Sequence, residues 1–248
     1  MTAANNTTNK FSVTVNMRFV LFYMALFLLF TQLHELSHII TGRLVCGCYG
    51  AQADFNIWTL CGTCFENNPY GFLPVLAGPV FSFAGVWIGV YLLRAKDQSN
   101  IFLGFLLVLI NKPFARLFTV LMKGGDELNA ARKLLSDKLP DSYIWIISLS
   151  VILLLSIPPL YSCYKKLKNK RKLLLVAGLC VGPMIFQYCY EFKLLNKLLE
   201  KGWGAGSPYM GIANLIHLHT LLILFVCLFL FKSIKKQQLL QSLQQSAG

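Results

Sequence analysis

The sequence predicts an all-α membrane protein with about six transmembrane helices. Of its 248 residues, 56% are hydrophobic and only 13% are charged, whereas soluble domains contain roughly a quarter charged residues. The mean hydropathy of +0.58 agrees with this composition. Apolar runs of about 20 residues, the length that crosses a bilayer, recur along the chain. Because lipid offers no hydrogen-bond partners to the backbone, each run is expected to form a helix.

The predicted spans divide the chain into four regions. Residues 1–16 are polar and rich in Asn and Thr, so we expect a disordered or loosely attached tail. Residues 17–141 hold three spans, at about 19–41, 71–93 and 101–122. Residues 142–231 hold three further spans, at about 142–161, 173–190 and 212–231. The C-terminal tail, 232–248, predicts a short amphipathic helix on the membrane surface.

The net charge of +13 comes from basic residues in the short loops between the spans. This distribution indicates topology signals rather than a nucleic-acid interface, so we expect an integral, multi-pass protein of the cell membrane that contacts lipid and no nucleic acid. If the N-terminus is cytoplasmic, 13 basic residues lie on the cytoplasmic side and eight on the opposite side. The charge count therefore favours a cytoplasmic N-terminus.

The first span contains the segment HELSH at residues 34–38. His34 and His38 are four residues apart, so on a helix they project from one face. That spacing allows two imidazoles to bind one zinc ion and leaves Glu35 beside the metal to take a proton from water. Ionisable groups inside a membrane span are costly and indicate function. The motif therefore predicts a catalytic Zn²⁺ site with His34 and His38 as metal ligands and Glu35 as the catalytic base.

A catalytic zinc ion usually has a third protein ligand and one open position. The acidic candidates are Asp126 and Glu127, which follow the third span after two glycines. Because the first and third spans run in the same direction, their C-terminal ends lie at the same membrane face. Glycine permits the backbone angles that could turn a carboxylate back toward the metal. We predict Asp126 as the third ligand, with Glu127 as the alternative.

These motifs resemble those of the site-2 protease family of intramembrane zinc metalloproteases. The resemblance covers roughly residues 20–130 and includes HELSH, the Gly78-Pro79 motif in AGPVFSFAG and an Asn-Pro-containing span before a Gly-Gly-Asp carboxylate. It implies zinc binding by His34, His38 and Asp126, and activation of water by Glu35. It also implies a β-hairpin at about 45–65 that receives substrate by strand addition, and an active site toward the cytoplasm. The charge count points to the opposite face.

The loop after the first span contains Cys46, Cys48, Cys61 and Cys64. Outside the cytoplasm these residues could form two disulfides that hold a hairpin. In the cytoplasm they would be reduced or would bind a second, structural zinc ion. The sequence leaves these alternatives open.

The sequence thus predicts an intramembrane zinc metalloprotease that cleaves transmembrane or membrane-associated polypeptides. One alternative is a membrane-anchored zinc peptidase with Glu127 as third ligand. Another is a non-catalytic, zinc-containing membrane scaffold or transporter.

Overall fold

The computed structural model describes residues 10–207 and 209–246, with side chains to residue 234. The described chain is helical apart from short connections and isolated β-bridges. Its helices are α1 (Met17–Cys46), α2 (Cys64–Asn67), α3 (Phe72–Leu92), α4 (Gln98–Ile110), α5 (Pro113–Leu121), α6 (Asp126–Leu135), α7 (Asp141–Lys166), α8 (Lys172–Gln187), α9 (Asn196–Glu200) and α10 (Asn214–Ser246), with a π-helical segment, Tyr188–Leu195, between α8 and α9.

Six helical stretches within the described residues are long and apolar enough to cross a membrane, which confirms the predicted fold class. Four are single helices: α1, α3, α7 and the Asn214–Ile234 part of α10. The third stretch, Gln98–Leu121, combines α4 and α5. The fifth, Lys172–Glu200, combines α8, the π-helical segment and α9. This fifth stretch extends 10 residues beyond the predicted end at 190.

The first span is delimited by local signals in the sequence. The Asn16 side chain caps the start of α1 by accepting a hydrogen bond from the backbone N–H of Phe19 (2.9 Å). The helix ends at Gly47, whose φ of 76° is the left-handed conformation that glycine adopts without strain. Between these caps, α1 carries the whole HELSH segment in regular helix near its C-terminal end.

The third span is broken at Asn111-Lys112-Pro113. Lys112 has a positive φ of 58°, and Pro113 begins α5. Proline lacks an N–H and is accepted in the first turn of a helix, but it cannot continue the preceding one without a clash. The break therefore gives α5 its own direction, which brings the end of the third span and α6 to the C-terminal end of α1.

Close contact between α3 and α4 depends on paired glycines. A Cβ added to Gly89 would lie 2.8 Å from the Gly104 carbonyl oxygen, and one added to Gly104 would lie 2.6 Å from the Gly89 carbonyl oxygen. Small residues permit this approach between membrane helices, where van der Waals packing replaces the hydrophobic effect as the cohesive force. A buried aromatic and aliphatic cluster surrounds this contact, including Phe19, Phe105 and Leu109.

Three regions differ from expectation. Residues 1–9 lie outside the described residues, but Phe11 and Val13 of the predicted loose tail are buried, because their apolar side chains pack into the main core. The predicted hairpin at 45–65 is reduced to one isolated antiparallel bridge between Ala51 and Thr59, and no sheet occurs in the described chain. The predicted C-terminal surface helix continues α10 as far as Ser246, and residues 247–248 lie outside the described chain.

Candidate metal centre

His34 and His38 lie one turn apart on α1, and both side chains are buried. Their Nε2 atoms face each other at 3.1 Å, and the two rings are nearly perpendicular, with an interplanar angle of 86°. The structure therefore brings the two predicted ligand atoms to one point between α1 and its neighbours.

The opposite ring nitrogens are held by α3. His38 Nδ1 donates to the Pro74 carbonyl oxygen at 2.7 Å, and His34 Nδ1 lies 3.0 Å from Ser82 Oγ. Because a carbonyl oxygen can only accept, His38 donates from Nδ1, and in the neutral ring Nε2 then carries the lone pair that a metal ion would bind. Metal-binding histidines usually have such a partner on the other nitrogen, which fixes the tautomer and the ring orientation.

Asp126 is the first residue of α6, and the turn before it brings its carboxylate to the histidines. Gly125 has a φ of 96°, a conformation that a side chain would strain. Asp126 Oδ2 lies 3.3 Å from His34 Nε2 and 3.6 Å from His38 Nε2. The structure thus brings together all three predicted ligand residues, although His34 and Asp126 are 92 positions apart in the sequence.

The spacing of these three atoms fits a tetrahedral ion. With bonds of about 2.0–2.1 Å, two ligand atoms of a tetrahedral zinc ion are roughly 3.3 Å apart. The three observed separations are 3.1, 3.3 and 3.6 Å. The same carboxylate and imidazole also contact a positively charged side chain. Arg116 Nη1 lies 3.0 Å from Asp126 Oδ2, and Arg116 Nη2 contacts the His34 ring. The two imidazole nitrogens and the carboxylate oxygen therefore suit a positive ion.

Glu35 lies beside this trio. Its carboxylate and the two imidazoles each offer an atom within 4.8 Å of the others, a group that could itself hold a metal ion. Asp126 Oδ2 is also within 3.6 Å of both Nε2 atoms, so its carboxylate lies close enough to both imidazoles to share an ion with them.

Glu127, the alternative ligand, has a different neighbour. Its side chain is buried, and its Oε1 lies 3.8 Å from Arg116 Nε. Burial raises the pKa of Glu127, although Arg116 opposes this. Burial would also raise the pKa of Asp126, but hydrogen bonds with His34 and His38 hold it well below its usual range. Asp126 is therefore the ionised carboxylate at the two histidines.

Two residues complete the walls of the site. A Cβ at Gly78 would lie 2.5 Å from His34 Nε2 and still closer to His38 Nε2, so only glycine allows α3 to pass this close to both rings. On the other side, Trp58 stacks on the His38 ring, with centroids 5.2 Å apart and an interplanar angle of 11°. The Gly78-Pro79 motif noted in the sequence thus contributes directly to the site.

A cavity of about 790 Å³ leads to the centre. His38 and Asp126 both line it. Its walls come from the segment between the first and second spans and from α6, and they carry both apolar and polar groups, including Trp58, Leu60, Phe65, Asn129, Arg132 and Lys133. The cavity gives a route from outside the helix bundle to the predicted ligands.

Sequence reasoning missed several contributors. Ser82, the Pro74 carbonyl and Trp58 could not be found, because their roles depend on how α3 and the loop pack against α1. Arg116 was also missed, although it binds Asp126 directly. Its place near the end of the third span, just before the predicted carboxylates, was the available signal.

A second buried polar cluster lies between the third, fifth and sixth spans. Lys112 Nζ donates to Gln187 Oε1 at 3.3 Å, and Gln187 Nε2 donates to Glu191 Oε2 at 2.7 Å. His219 Nδ1 lies 3.9 Å from Glu191 Oε1. Because Glu191 is buried in the π-helical segment, the cluster neutralises charge inside the membrane and joins the first three spans to the last three.

These features define the class of the protein: it is an all-α, multi-pass membrane protein with a buried His-Glu-His group suited to a metal ion. No family model, curated protein or solved structure matches the chain.

Proposed function

We propose that this chain is an intramembrane zinc metalloprotease that hydrolyses peptide bonds of membrane-embedded or membrane-adjacent polypeptides. The observation that carries the proposal is the convergence of His34 Nε2, His38 Nε2 and Asp126 Oδ2 at separations of 3.1–3.6 Å. These ligands come from α1 and α6, and α3 orients both imidazoles. A structural zinc site usually has four protein ligands, whereas three ligands with an open position are typical of catalytic zinc.

The chemistry divides between the metal and the side chains around it. His34, His38 and Asp126 would hold the zinc ion, which when bound would supply a Lewis acid for the scissile carbonyl and for water. Glu35 takes the proton of the attacking water and then delivers it to the nitrogen of the leaving amine. Ser82 and the Pro74 carbonyl keep the imidazoles in the required orientation. Arg116 Nη1, 3.0 Å from Asp126 Oδ2, keeps that carboxylate in place.

The position of the site supports a membrane polypeptide as substrate. His34 and His38 lie in the C-terminal half of the first span, and Asp126 follows the third span. The cavity that His38 and Asp126 line is also lined by other residues of α6. A helical substrate must unwind locally before cleavage, because its peptide bonds are engaged in the hydrogen bonds of the helix. The apolar and polar groups of the cavity walls can contact both the side chains and the backbone of a substrate.

The first experiment measures zinc per chain in detergent-purified protein. Wild type is compared with His38→Ala, Asp126→Asn and Glu127→Gln. We expect about one zinc ion in wild type and in Glu127→Gln, and loss of the ion in the other two variants. If folded wild type contains no zinc, or if His38→Ala retains it, the metal centre proposed here is wrong. Loss in Glu127→Gln with retention in Asp126→Asn would instead identify the alternative ligand.

The second experiment tests catalysis and uses Glu35→Gln as the matched control. Each protein is reconstituted in liposomes with a solubilised membrane proteome, and new peptide N-termini are labelled and identified by mass spectrometry. We expect N-termini that depend on wild type and are absent with Glu35→Gln, while both proteins contain equal zinc. Identical N-termini for the two zinc-loaded proteins would contradict a protease and favour the non-catalytic scaffold or transporter.

A further inference from the structure

The loop between the first and second spans is closed by two disulfides. Cys46 at the end of α1 is bonded to Cys64 at the start of α2, and Cys48 is bonded to Cys61. The paired Cα atoms are 5.9 and 6.1 Å apart, within the usual range for disulfides. Nested pairs of this kind answer the question that the sequence left open, because they place all four cysteines of the loop in bonds.

Disulfides are stable in oxidising compartments, whereas cytoplasmic thiols are kept reduced. The loop at 46–64 therefore belongs on the non-cytoplasmic side of the membrane. The Ala51–Thr59 bridge lies inside the larger of the two disulfide loops, with hydrogen bonds of 2.9 Å in both directions. Two covalent links and this bridge hold the segment that carries Trp58.

An independent observation comes from the other end of the bundle. The N-terminal segment meets the connection after α7, where Phe11 N–H donates to the Lys166 carbonyl (3.0 Å) and Lys168 N–H donates to the Phe11 carbonyl (2.8 Å). This connection contains six basic residues between 165 and 172. Dense positive charge in a short loop marks the cytoplasmic side. The basic loop thus places the N-terminal end of the bundle on the cytoplasmic side, and the disulfides independently place the other end on the non-cytoplasmic side.

The candidate metal centre lies at the disulfide end. Trp58, inside the larger disulfide loop, stacks on His38, and Asp126 begins the helix that follows the third span. The cavity to the centre is lined by this loop and by α6. At the same end, Gln52 N–H donates to the Gly211 carbonyl (2.9 Å), so the connection before α10 also packs against the loop.

We infer that the metal centre opens on the oxidising, non-cytoplasmic side of the membrane. Its substrate is then the segment of a membrane polypeptide that emerges on that side. The substrate class rests on the proposed protease function, but the orientation does not. This orientation is opposite to the cytoplasm-facing site that the family resemblance implies.

The test uses two reporter cysteines at opposite ends of the bundle. Lys138, between α6 and α7, and Lys168, after α7, are both exposed. Lys138→Cys and Lys168→Cys are made separately in the full chain, with Cys163, Cys180, Cys189 and Cys227 replaced by Ala and the loop cysteines retained. Intact cells are treated with a membrane-impermeant maleimide that carries a mass tag. We expect Lys138→Cys to be labelled directly and Lys168→Cys only after permeabilisation. The reverse pattern, or equal labelling of the two, would overturn the inference.

The same background chain without a reporter tests the disulfides. We expect no labelling in intact or permeabilised cells until a reductant is added, and then labelling of up to four thiols. Labelling after permeabilisation without reductant would show free thiols and would also overturn the inference. Because neither experiment depends on zinc or on cleavage, a failed orientation leaves the protease proposal standing. Absence of zinc from a correctly oriented chain would reject only the protease proposal.

Discussion

Replacement of Gly78 by alanine tests whether the two imidazoles lie where the structure has them. The added methyl group would be 2.5 Å from His34 Cε1 and Nε2, and nearer still to His38 Nε2. Neither ring can turn away freely, because His34 Nδ1 meets Ser82 and His38 Nδ1 meets the Pro74 carbonyl on α3 itself. The clash must therefore separate α3 from α1 or displace the rings.

The size of the effect follows from the distances. A contact of 2.5 Å is about 0.9 Å shorter than the 3.4 Å at which ordinary van der Waals contact begins. Metal–ligand distances tolerate only about 0.2 Å of error, so a displacement several times larger disrupts the triangle of ligand atoms. We expect overpacking to cost about 1–3 kcal/mol of stability. Zinc affinity should fall by at least about 10- to 100-fold, the usual effect of disturbing groups that support metal ligands.

The assay is zinc affinity by competition with a chromophoric chelator, with thermal unfolding of the same detergent samples. Gly178→Ala is the matched control, because it makes the same change inside α8 and its added Cβ has no heavy atom within 4 Å. The control should bind zinc like wild type and unfold at the same temperature or slightly higher, since alanine is the better helix former. If Gly78→Ala binds zinc as tightly as Gly178→Ala, the ion is not held between these two rings.

Three further predictions concern groups around the centre. Asp126→Asn should abolish stable zinc binding while Glu127→Gln preserves it, as measured by zinc per chain, and equal loss in both would contradict the ligand assignment. Ser82→Ala should weaken zinc affinity by about 10- to 100-fold with no loss of folded protein, and an unchanged affinity would show that the hydroxyl does not orient the imidazole. Glu191→Ala should lower the free energy of unfolding by about 1–3 kcal/mol, because the buried Gln187 amide that donates to Glu191 loses its acceptor; an unchanged unfolding temperature would show that the cluster does not join the two halves.

The helical class and most span positions could be predicted because they depend on local properties of the chain. A run such as Phe72–Leu92 must form a helix in lipid whatever its neighbours are. The fifth span was less accurate, because the sequence after 190 contains Glu191 and Lys193, which normally end an apolar run. Glu191 remains inside the bundle because Gln187 and Lys112 compensate it, and this depends on two other parts of the chain.

The β-hairpin expected at about 45–65 could not be predicted from local properties of the chain. It was implied by resemblance rather than by strand-forming residues, and the segment at 46–64 instead forms a compact loop around two disulfides and one bridge. Which cysteines pair is a matter of distance in the folded chain. Four cysteines allow three pairings, and the sequence cannot choose between them.

The sequence by itself determined the membrane class and the pair His34 and His38, since a spacing of four residues on a helix fixes two side chains on one face. Only the tertiary structure decided that Asp126 rather than Glu127 meets these histidines, that Arg116 holds Asp126, and that Ser82 supports His34. The physical reason is that helix periodicity determines only how side chains on the same helix are placed relative to one another. Contacts between spans depend on the break at Lys112, the backbone turn at Gly125 and the packing of α3 against α1.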